Sequence, residues 1–234
     1  MTMKKSKIIS VAVLVLTLGF LAIQCQHEDE NVIPVVGPDP IEHGTEIMTC
    51  TNCNTTAPAG TWYLDKAHSN VMWETRYKVF GSKLTGRFDQ FFMTALNFDE
   101  AHPEKISFNG YVRLNTVNTS EPARDNGCLN TTFGTDEAKV DETVNKATLV
   151  SKEGTGKYSS TDDGFLVDAD FTFLGITKTV TVKIFFEPRF DIGTSFAAGL
   201  NSEFEITSDD FLPNDSNIGD VVKIEINSLM KNVK

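Results

Sequence analysis

Two short clusters hold the residues of this chain whose types and spacing could do chemistry. In the segment Cys50-Thr51-Asn52-Cys53, two residues separate two thiols, which is the spacing of a dithiol that opens and closes in redox proteins. A little further on, Asp65, His68 and Ser69 are the three residue types of a nucleophilic triad, which can form on many folds. The first cluster would support thiol–disulfide exchange and the second acyl transfer.

The sequence around each cluster weakens both catalytic interpretations. Adjacent side chains of a strand point to opposite faces, so we expect His68 to be a hydrogen-bonded structural residue that does not meet Ser69. No helix start follows Cys53 to lower a thiol pKa, Asn54 stands where haem attachment requires His, and no second ligand pair supports zinc. We therefore predict a local or linker-pinning disulfide at Cys50 and Cys53, and no catalytic residue, metal or cofactor. The pairing among Cys50, Cys53 and Cys128 is left open.

The first 25 residues have the features of an export signal. Lysines near the start precede an apolar run over 8–23, which predicts a signal peptide at 1–24 because a membrane span needs about 20 apolar residues. The segment 21–25, Leu-Ala-Ile-Gln-Cys, resembles the lipobox of bacterial lipoproteins, although Gln24 replaces the usual small residue. That resemblance implies a lipid-anchored Cys25 and a protein in the periplasm, the outer membrane or the cell surface. The alternative is cleavage nearby and a free periplasmic protein.

Composition separates a linker from a folded domain and disfavours two classes of partner. Four prolines and no apolar periodicity between 26 and 60 predict a lipidated N-terminus and flexible linker over 25–59, followed by a folded domain over 60–231. The net charge is -11, and three lysines are the only charges before Cys25, so the rest carries -11 - 3 = -14. Such a surface repels phosphate, which argues against nucleic-acid binding and electrostatic docking on membranes.

The folded domain has the period-two alternation of strands with one buried face. Val71 and Trp73 alternate with polar neighbours, and so do Phe171 and Phe173. About eight such segments, with one short helix over 135–145, predict an antiparallel sandwich or closed barrel. The strand candidates are 70–79, 84–98, 105–114, 147–152, 165–173, 180–186, 200–206 and 222–226.

Five segments in order resemble the YceI family. They match its Trp-x-Leu-Asp-x-x-His-Ser opening, its Gly-x-Phe-x-x-Phe strand, its Arg-Asp pair, its Gly-Val-Thr-Lys turn and its closing strand. The segments are Gly60 to Ser69, Gly86 to Phe91, Arg124-Asp125, Gly175 to Lys178, and Ile218 to Asp220 with the strand after it. Each motif is weak alone, but together they cover nearly the whole domain.

The resemblance implies a lipocalin-like antiparallel β-barrel with an apolar pore. Such a barrel takes up a polyisoprenoid or another long-chain lipid and performs no catalysis. It implies an apolar lining, for which the inward-facing aromatic candidates are Trp73, Phe88, Phe108, Phe171, Phe173 and Phe186, and His68 and Arg124 are candidates for contacts with a headgroup. For each aromatic residue the alternative is ordinary core packing. Whether the barrel forms a homodimer is left open.

Two positions depart from the family pattern, which leaves the headgroup of the ligand open. Two alternative functions also stay open. Cys128 lies near the place where the family has His, and Ser208 takes the place of its Arg. If those family residues hold a polar headgroup, this protein holds a different headgroup or none. One alternative function is a structural or interaction barrel filled by its own side chains. The other is a thiol-redox protein that uses Cys50 and Cys53.

Overall fold

The computed structural model describes residues 48–51, 53, 61–99, 102–134, 145–213 and 217–233. Thirteen strands of these ranges join one sheet. The strands are β1 (Met48–Thr51), β2 (Trp62–Leu64), β3 (Asn70–Arg76), β4 (Lys83–Phe88), β5 (Phe91–Phe98), β6 (Ser107–Arg113), β7 (Val117–Asn118), β8 (Lys146–Ser151), β9 (Lys157–Ser159), β10 (Gly164–Phe173), β11 (Ile176–Asp191), β12 (Ser195–Thr207) and β13 (Val221–Val233). Nine of these strands have six residues or more. The sequence predicts about eight strands.

Every strand pair of the sheet is antiparallel. The order is β1-β5-β6-β8-β10-β11-β12-β13-β3-β4-β7, with β2 also on β13 and β9 also on β10. Among the described residues no pair joins β1 to β7, so hydrogen bonding leaves the sheet open between these two strands. The sheet curls so that all nine longer strands share one interior, and the predicted fold class, an antiparallel lipocalin-like β structure, is confirmed.

Strand β10 shows why alternation produces this sheet. Val167, Ala169, Phe171 and Phe173 are buried on one face, while Asp170 on the other face contacts Lys152 and Thr179. Burial of each valine or phenylalanine side chain stabilises the fold by about 1.5–3 kcal/mol before entropy costs are subtracted. The turn to β11 needs backbone at positive φ, and Gly175 adopts φ 79° there without a steric cost.

Strand β1 lies inside the predicted linker, so that part of the prediction is wrong. Its residues 48–51 pair with Ala95 to Phe98 of β5, and Cys50 and Cys53 are 2% and 1% exposed. The two cysteines form a disulfide. Four residues are too few for a period-two pattern to be visible, and the strand that holds them in place comes later in the chain.

The longest described helical segment covers 122–133 and follows strand β7. An α-helix, α1 (Pro122–Gly127), continues into π-helical turns over Cys128–Phe133. The Glu121 side chain accepts a hydrogen bond from the Ala123 amide, and proline at the first helical position needs no amide donor. Arg124, a candidate for contact with a headgroup, therefore lies on a helix. The helix predicted over 135–145 lies outside the described residues except for Asn145.

Candidate ligand-binding cavity

The interior of the curled sheet contains a cavity. The centre of a water molecule can occupy about 170 Å³ of it, whereas one buried water needs about 10–15 Å³ on that measure. All nine longer strands and the π-helical turns contribute to its wall. The described residues of the wall are mostly aromatic and aliphatic and include no charged side chain. This is space that the protein's own side chains leave unfilled.

Period-two alternation on adjacent strands builds this wall. Val71, Trp73 and Thr75 of β3 face the cavity, and so do alternate residues of β12 and β13. The strand register makes Trp73 the partner of Ile224, and Ile224 the partner of Phe204. Inward side chains of three strands therefore form a continuous apolar row across the sheet.

Five of the six aromatic residues predicted for the lining surround the cavity. They are Trp73, Phe88, Phe108, Phe171 and Phe173. Phe186 is placed elsewhere: its ring stacks on Phe98 with the centroids 4.6 Å apart, and it is not among the described wall residues. The Phe98 ring also contacts Phe165 edge to face, so this end of the interior is packed. Binding of lipid by the five wall residues stays a prediction.

Five described aromatic wall residues were not predicted for the lining: Phe91, Tyr111, Phe133, Phe204 and Phe211. Phe204 and Phe211 lie 5.4 Å and 5.3 Å from the Phe171 ring between centroids. Phe133, from the π-helical turns, lies 5.6 Å from Phe173 and 6.3 Å from Phe88. Phe204 was recoverable because it alternates within a predicted strand. Phe133 was not, because its segment carries no period-two pattern and only the fold brings it over the cavity.

The Trp73 indole is positioned by a glycine on the next strand. Gly86 of β4 pairs with Trp73 of β3 and lies between the wall residues Leu84 and Phe88 on the same face. A Cβ atom at Gly86 would lie 2.4 Å from Trp73 Cζ2 and 2.9 Å from Nε1. The indole therefore occupies the space that any other side chain at Gly86 would need.

Two residues of the cavity wall each carry a polar atom with no hydrogen-bond partner in the part of the chain that the structure describes. These atoms are Trp73 Nε1 and Ser208 Oγ, both buried from solvent. Ser208 is 3% exposed and, like Trp73, lines the cavity. The Thr75 hydroxyl differs, since it donates to the Val221 carbonyl oxygen at 2.8 Å.

His68 belongs to a polar cluster outside the cavity wall. Its Nδ1 lies 2.7 Å from Asp65 Oδ2, and Lys231 Nζ bridges to the same oxygen. Burial raises the pKa of the Asp65 carboxyl, but hydrogen bonds from Lys231 and His68 outweigh burial, so the net pKa is lowered. Ser69 Oγ accepts from the Leu229 amide instead. His68 thus pairs with Asp65, and neither belongs to the described cavity wall.

The predicted residue Arg124 and the three described cysteines lie in different parts of the structure. Arg124 is half-buried on α1 and lies outside the described wall. Cys128, the residue directly after the end of α1, lines the cavity. Cys50 and Cys53 are bonded to each other in the packed core.

The described residues hold no group of His, Cys, Asp and Glu suited to a metal ion. No helix within the described ranges has the length and apolar character to cross a bilayer.

A solved structure shares this fold, and two more are similar to this chain. Burkholderia cenocepacia BcnA is 20% identical over 71% of this chain and 98% of its own, with a TM-score of 0.54. A Saccharophagus degradans domain, described as a polyisoprenoid binding domain implicated in plant cell wall breakdown, is 18% identical over 74% and 98%, with a TM-score of 0.48. A Campylobacter jejuni YCEI protein is 19% identical over 63% and 85%, with a TM-score of 0.46.

Sequence comparison assigns the family. No curated protein sequence gives a significant match. The model of the YceI-like domain matches residues 62–229, which is most of the chain and includes every strand from β2 to β12. The resemblance drawn from the five sequence segments is confirmed, and the chain belongs to the YceI-like family.

Proposed function

We propose that this protein binds a long-chain apolar amphiphile, a polyisoprenoid or another lipid, and sequesters or carries it without catalysis. The observation that carries the proposal is the uncharged, largely apolar cavity inside the sheet. Ligand sites for such molecules are concave, mostly apolar and supplied with few polar groups. Membership of the YceI-like family supports the same ligand class.

Chain length decides whether such a ligand can bind. Each buried CH₂ contributes about 0.8 kcal/mol, and association costs at least about 4 kcal/mol. Micromolar affinity corresponds to about -8 kcal/mol, so a purely apolar ligand needs roughly 12 kcal/mol of gross burial, or about fifteen methylenes. We therefore expect long acyl or prenyl chains to bind, and short alkyl chains to escape detection.

Two features of the structure favour this function over the alternatives from the sequence. The unfilled space argues against a barrel that is only a packed scaffold, because a fully packed interior leaves few voids larger than water. The burial of Cys50 and Cys53 argues against thiol exchange, because a reactive thiol must be accessible to its partner.

Native mass spectrometry and organic extraction of the purified protein test the proposal. We expect a co-purified lipid, or uptake of fatty-acyl and prenyl probes by the emptied protein. Ala147→Trp, in the cavity wall on β8, should block uptake, with an overpacking cost of about 1–3 kcal/mol. Val150→Trp, on an exposed position of the same strand, is the matched control. A folded protein that carries no lipid and takes up none of the probes would refute the proposal.

We also propose that the chain is exported and anchored through an acylated Cys25. The support is the signal-like segment 1–24 and its lipobox resemblance, and each acyl methylene adds about 0.8 kcal/mol of membrane affinity. Metabolic labelling with an alkyne fatty acid tests this. Label on the wild type but not on Cys25→Ser, together with loss of the variant from the membrane fraction, is expected. Equal labelling of both would contradict it.

A further inference from the structure

The turn between β3 and β4 carries the most exposed large hydrophobic side chains that the structure describes. Val79 and Phe80 are 76% and 81% exposed, whereas every other large hydrophobic side chain of the described ranges is at most 54% exposed. Single exposed apolar residues are ordinary on protein surfaces. An adjacent pair at the end of a hairpin forms a contiguous patch, and such patches mark contacts with proteins or membranes. We call residues 79 and 80 the hairpin tip.

Hydrogen bonds hold the turn that carries the hairpin tip. The Tyr77 amide donates to the Ser82 carbonyl at 2.9 Å, and the Gly81 amide donates to the Tyr77 carbonyl at 2.7 Å. Gly81 adopts φ 65°, which glycine does without steric cost, and its carbonyl accepts from the Arg76 guanidinium at 3.0 Å. Because the turn is ordered in advance, contact of the tip with a partner costs little conformational entropy.

The strands below the hairpin tip belong to the cavity wall. Thr75 of β3 and Leu84 of β4 are register partners, and both line the cavity. Ile218, which forms an isolated bridge with Tyr77, lines it as well. The tip therefore lies at the same end of the sheet as these wall residues. A surface that contacts the tip is next to this end of the cavity.

The lysines beside the hairpin tip are neutralised by carboxylates. Lys78 Nζ lies 3.1 Å from Asp220 Oδ1 and 3.7 Å from Asp209 Oδ1, and Lys83 forms an ion pair with Glu74 across the two strands. The whole chain has a net charge of -11. Anionic headgroups are therefore attracted only weakly, so a partner of the tip must bind through apolar contact.

The size of the hairpin tip fits a bilayer surface better than a folded protein. A stable protein interface buries about 800 Å² on each partner, whereas one valine and one phenylalanine side chain offer at most a few hundred Å². Apolar side chains that enter the boundary between headgroups and acyl chains bind with a strength that scales with the buried apolar area. Burial of one phenylalanine raises partitioning about tenfold or more.

We propose that the hairpin tip inserts into the surface of a zwitterionic lipid bilayer and docks this end of the cavity there. The choice of a membrane as the partner rests on the proposed lipid-binding function, because the hairpin continues from the wall of the lipid cavity. Docking of this kind is transient and needs no anionic headgroup. It brings the cavity to the bilayer from which the lipid is taken, so it accelerates transfer without changing the affinity of the cavity.

Tryptophan placed at the hairpin tip reports its insertion. Phe80→Trp is compared with Phe190→Trp in the purified full chain. Phe190 is also exposed, but it pairs with Ala197 near the start of β12, and the hairpin lies beside the other end of that strand, where Thr207 pairs with Val221. Phosphatidylcholine vesicles should shift the emission of Phe80→Trp to shorter wavelength, and brominated phosphatidylcholine should quench it. Phe190→Trp should respond no more than the wild type.

Transfer measurements connect insertion to the delivery of lipid. A fluorescent fatty-acyl probe is supplied to the delipidated protein either from phosphatidylcholine vesicles or from cyclodextrin. From vesicles, Phe80→Ser should take up the probe at least about tenfold more slowly than the wild type, and Phe190→Ser should match the wild type. From cyclodextrin, all three proteins should bind the probe with equal affinity. Thermal unfolding checks that each variant folds, and any lipid anchor is the same in every chain compared.

The outcomes separate docking from the binding function. The proposal is overturned if vesicles leave the emission of Phe80→Trp unchanged, or if the three proteins take up the probe from vesicles equally fast. Insertion that requires phosphatidylglycerol and disappears in high salt also overturns it, because docking is then electrostatic. A shift in emission that depends on protein concentration and not on vesicles assigns the tip to a second copy of the chain instead. If the tip inserts but the folded protein takes up no probe from either source, docking stands and lipid binding fails.

Discussion

Substitution of Gly86 by alanine tests how the Trp73 indole is held at the cavity. The added Cβ would lie 2.4 Å from Cζ2 and 2.6 Å from Cε2 of the indole, whereas carbon atoms in contact are normally about 3.5–4.0 Å apart. The ring must therefore move by about 1 Å. Because Trp73 lines the cavity, this movement changes the shape of the wall and the position of the N–H group.

The expected loss of stability follows from this overlap. Overpacking of this kind costs about 1–3 kcal/mol, offset by the 0.4–1 kcal/mol that Gly→Ala typically gains through the unfolded chain. The net loss is about 0–2.6 kcal/mol. In a domain of this size each kcal/mol lowers the melting temperature by about 2–4 °C, so we expect Gly86→Ala to melt up to roughly 10 °C lower and to bind lipid more weakly.

Thermal unfolding, titration with a fluorescent fatty-acyl probe and Trp73 emission in a Trp62→Phe background measure the effect. Gly127→Ala is the control, because a Cβ there would meet no described atom within 4 Å, and alanine favours the helix that Gly127 ends. It should be as stable as the wild type or slightly more stable. Wild-type melting, affinity and Trp73 emission in Gly86→Ala would refute the reasoning.

Three further predictions concern stability. Phe171→Ala should lose about 3–5 kcal/mol in urea unfolding, because its ring contacts three other phenylalanine rings; a loss below about 1 kcal/mol would contradict this. The pKa of Asp65 is lowered from 3.8, so its stabilising effect is present above that pH and disappears as pH falls through the folded-state pKa. The wild type should therefore melt above Asp65→Asn at pH 7, and the gap should close in acid; a constant gap would contradict it. Replacement of Cys50 and Cys53 by alanine should cost about 2 kcal/mol by loop entropy and leave lipid uptake unchanged, whereas lost uptake in a folded variant would connect the disulfide to the site.

The strand faces of this protein were predictable from local sequence. In β10 every buried residue from Val167 to Phe173 follows the alternation seen in the sequence, because consecutive side chains of a strand point to opposite faces. The five family segments also carried the family assignment. Both signals are local in the chain, so neither depends on knowing which strands become neighbours.

Other features had no local signal. Strand β1 has four residues, and its place in the sheet depends on pairing with β5. The helical segment over 122–133 carries Phe133 to Phe88 and Phe173, and only the fold brings these rings together. Composition predicted a linker where β1 lies, and pairing with β5 overrides that weak local preference.

The amino-acid sequence by itself determined that this protein is an antiparallel β structure of the YceI-like family with an aromatic inner face. Only the tertiary structure decided where that face encloses space and where it is packed. Phe171 and Phe186 satisfy the same alternation, yet Phe171 lines the cavity and Phe186 stacks on Phe98. Alternation specifies the face to which a side chain points, whereas the distance to the opposite wall depends on how distant strands pair and curl.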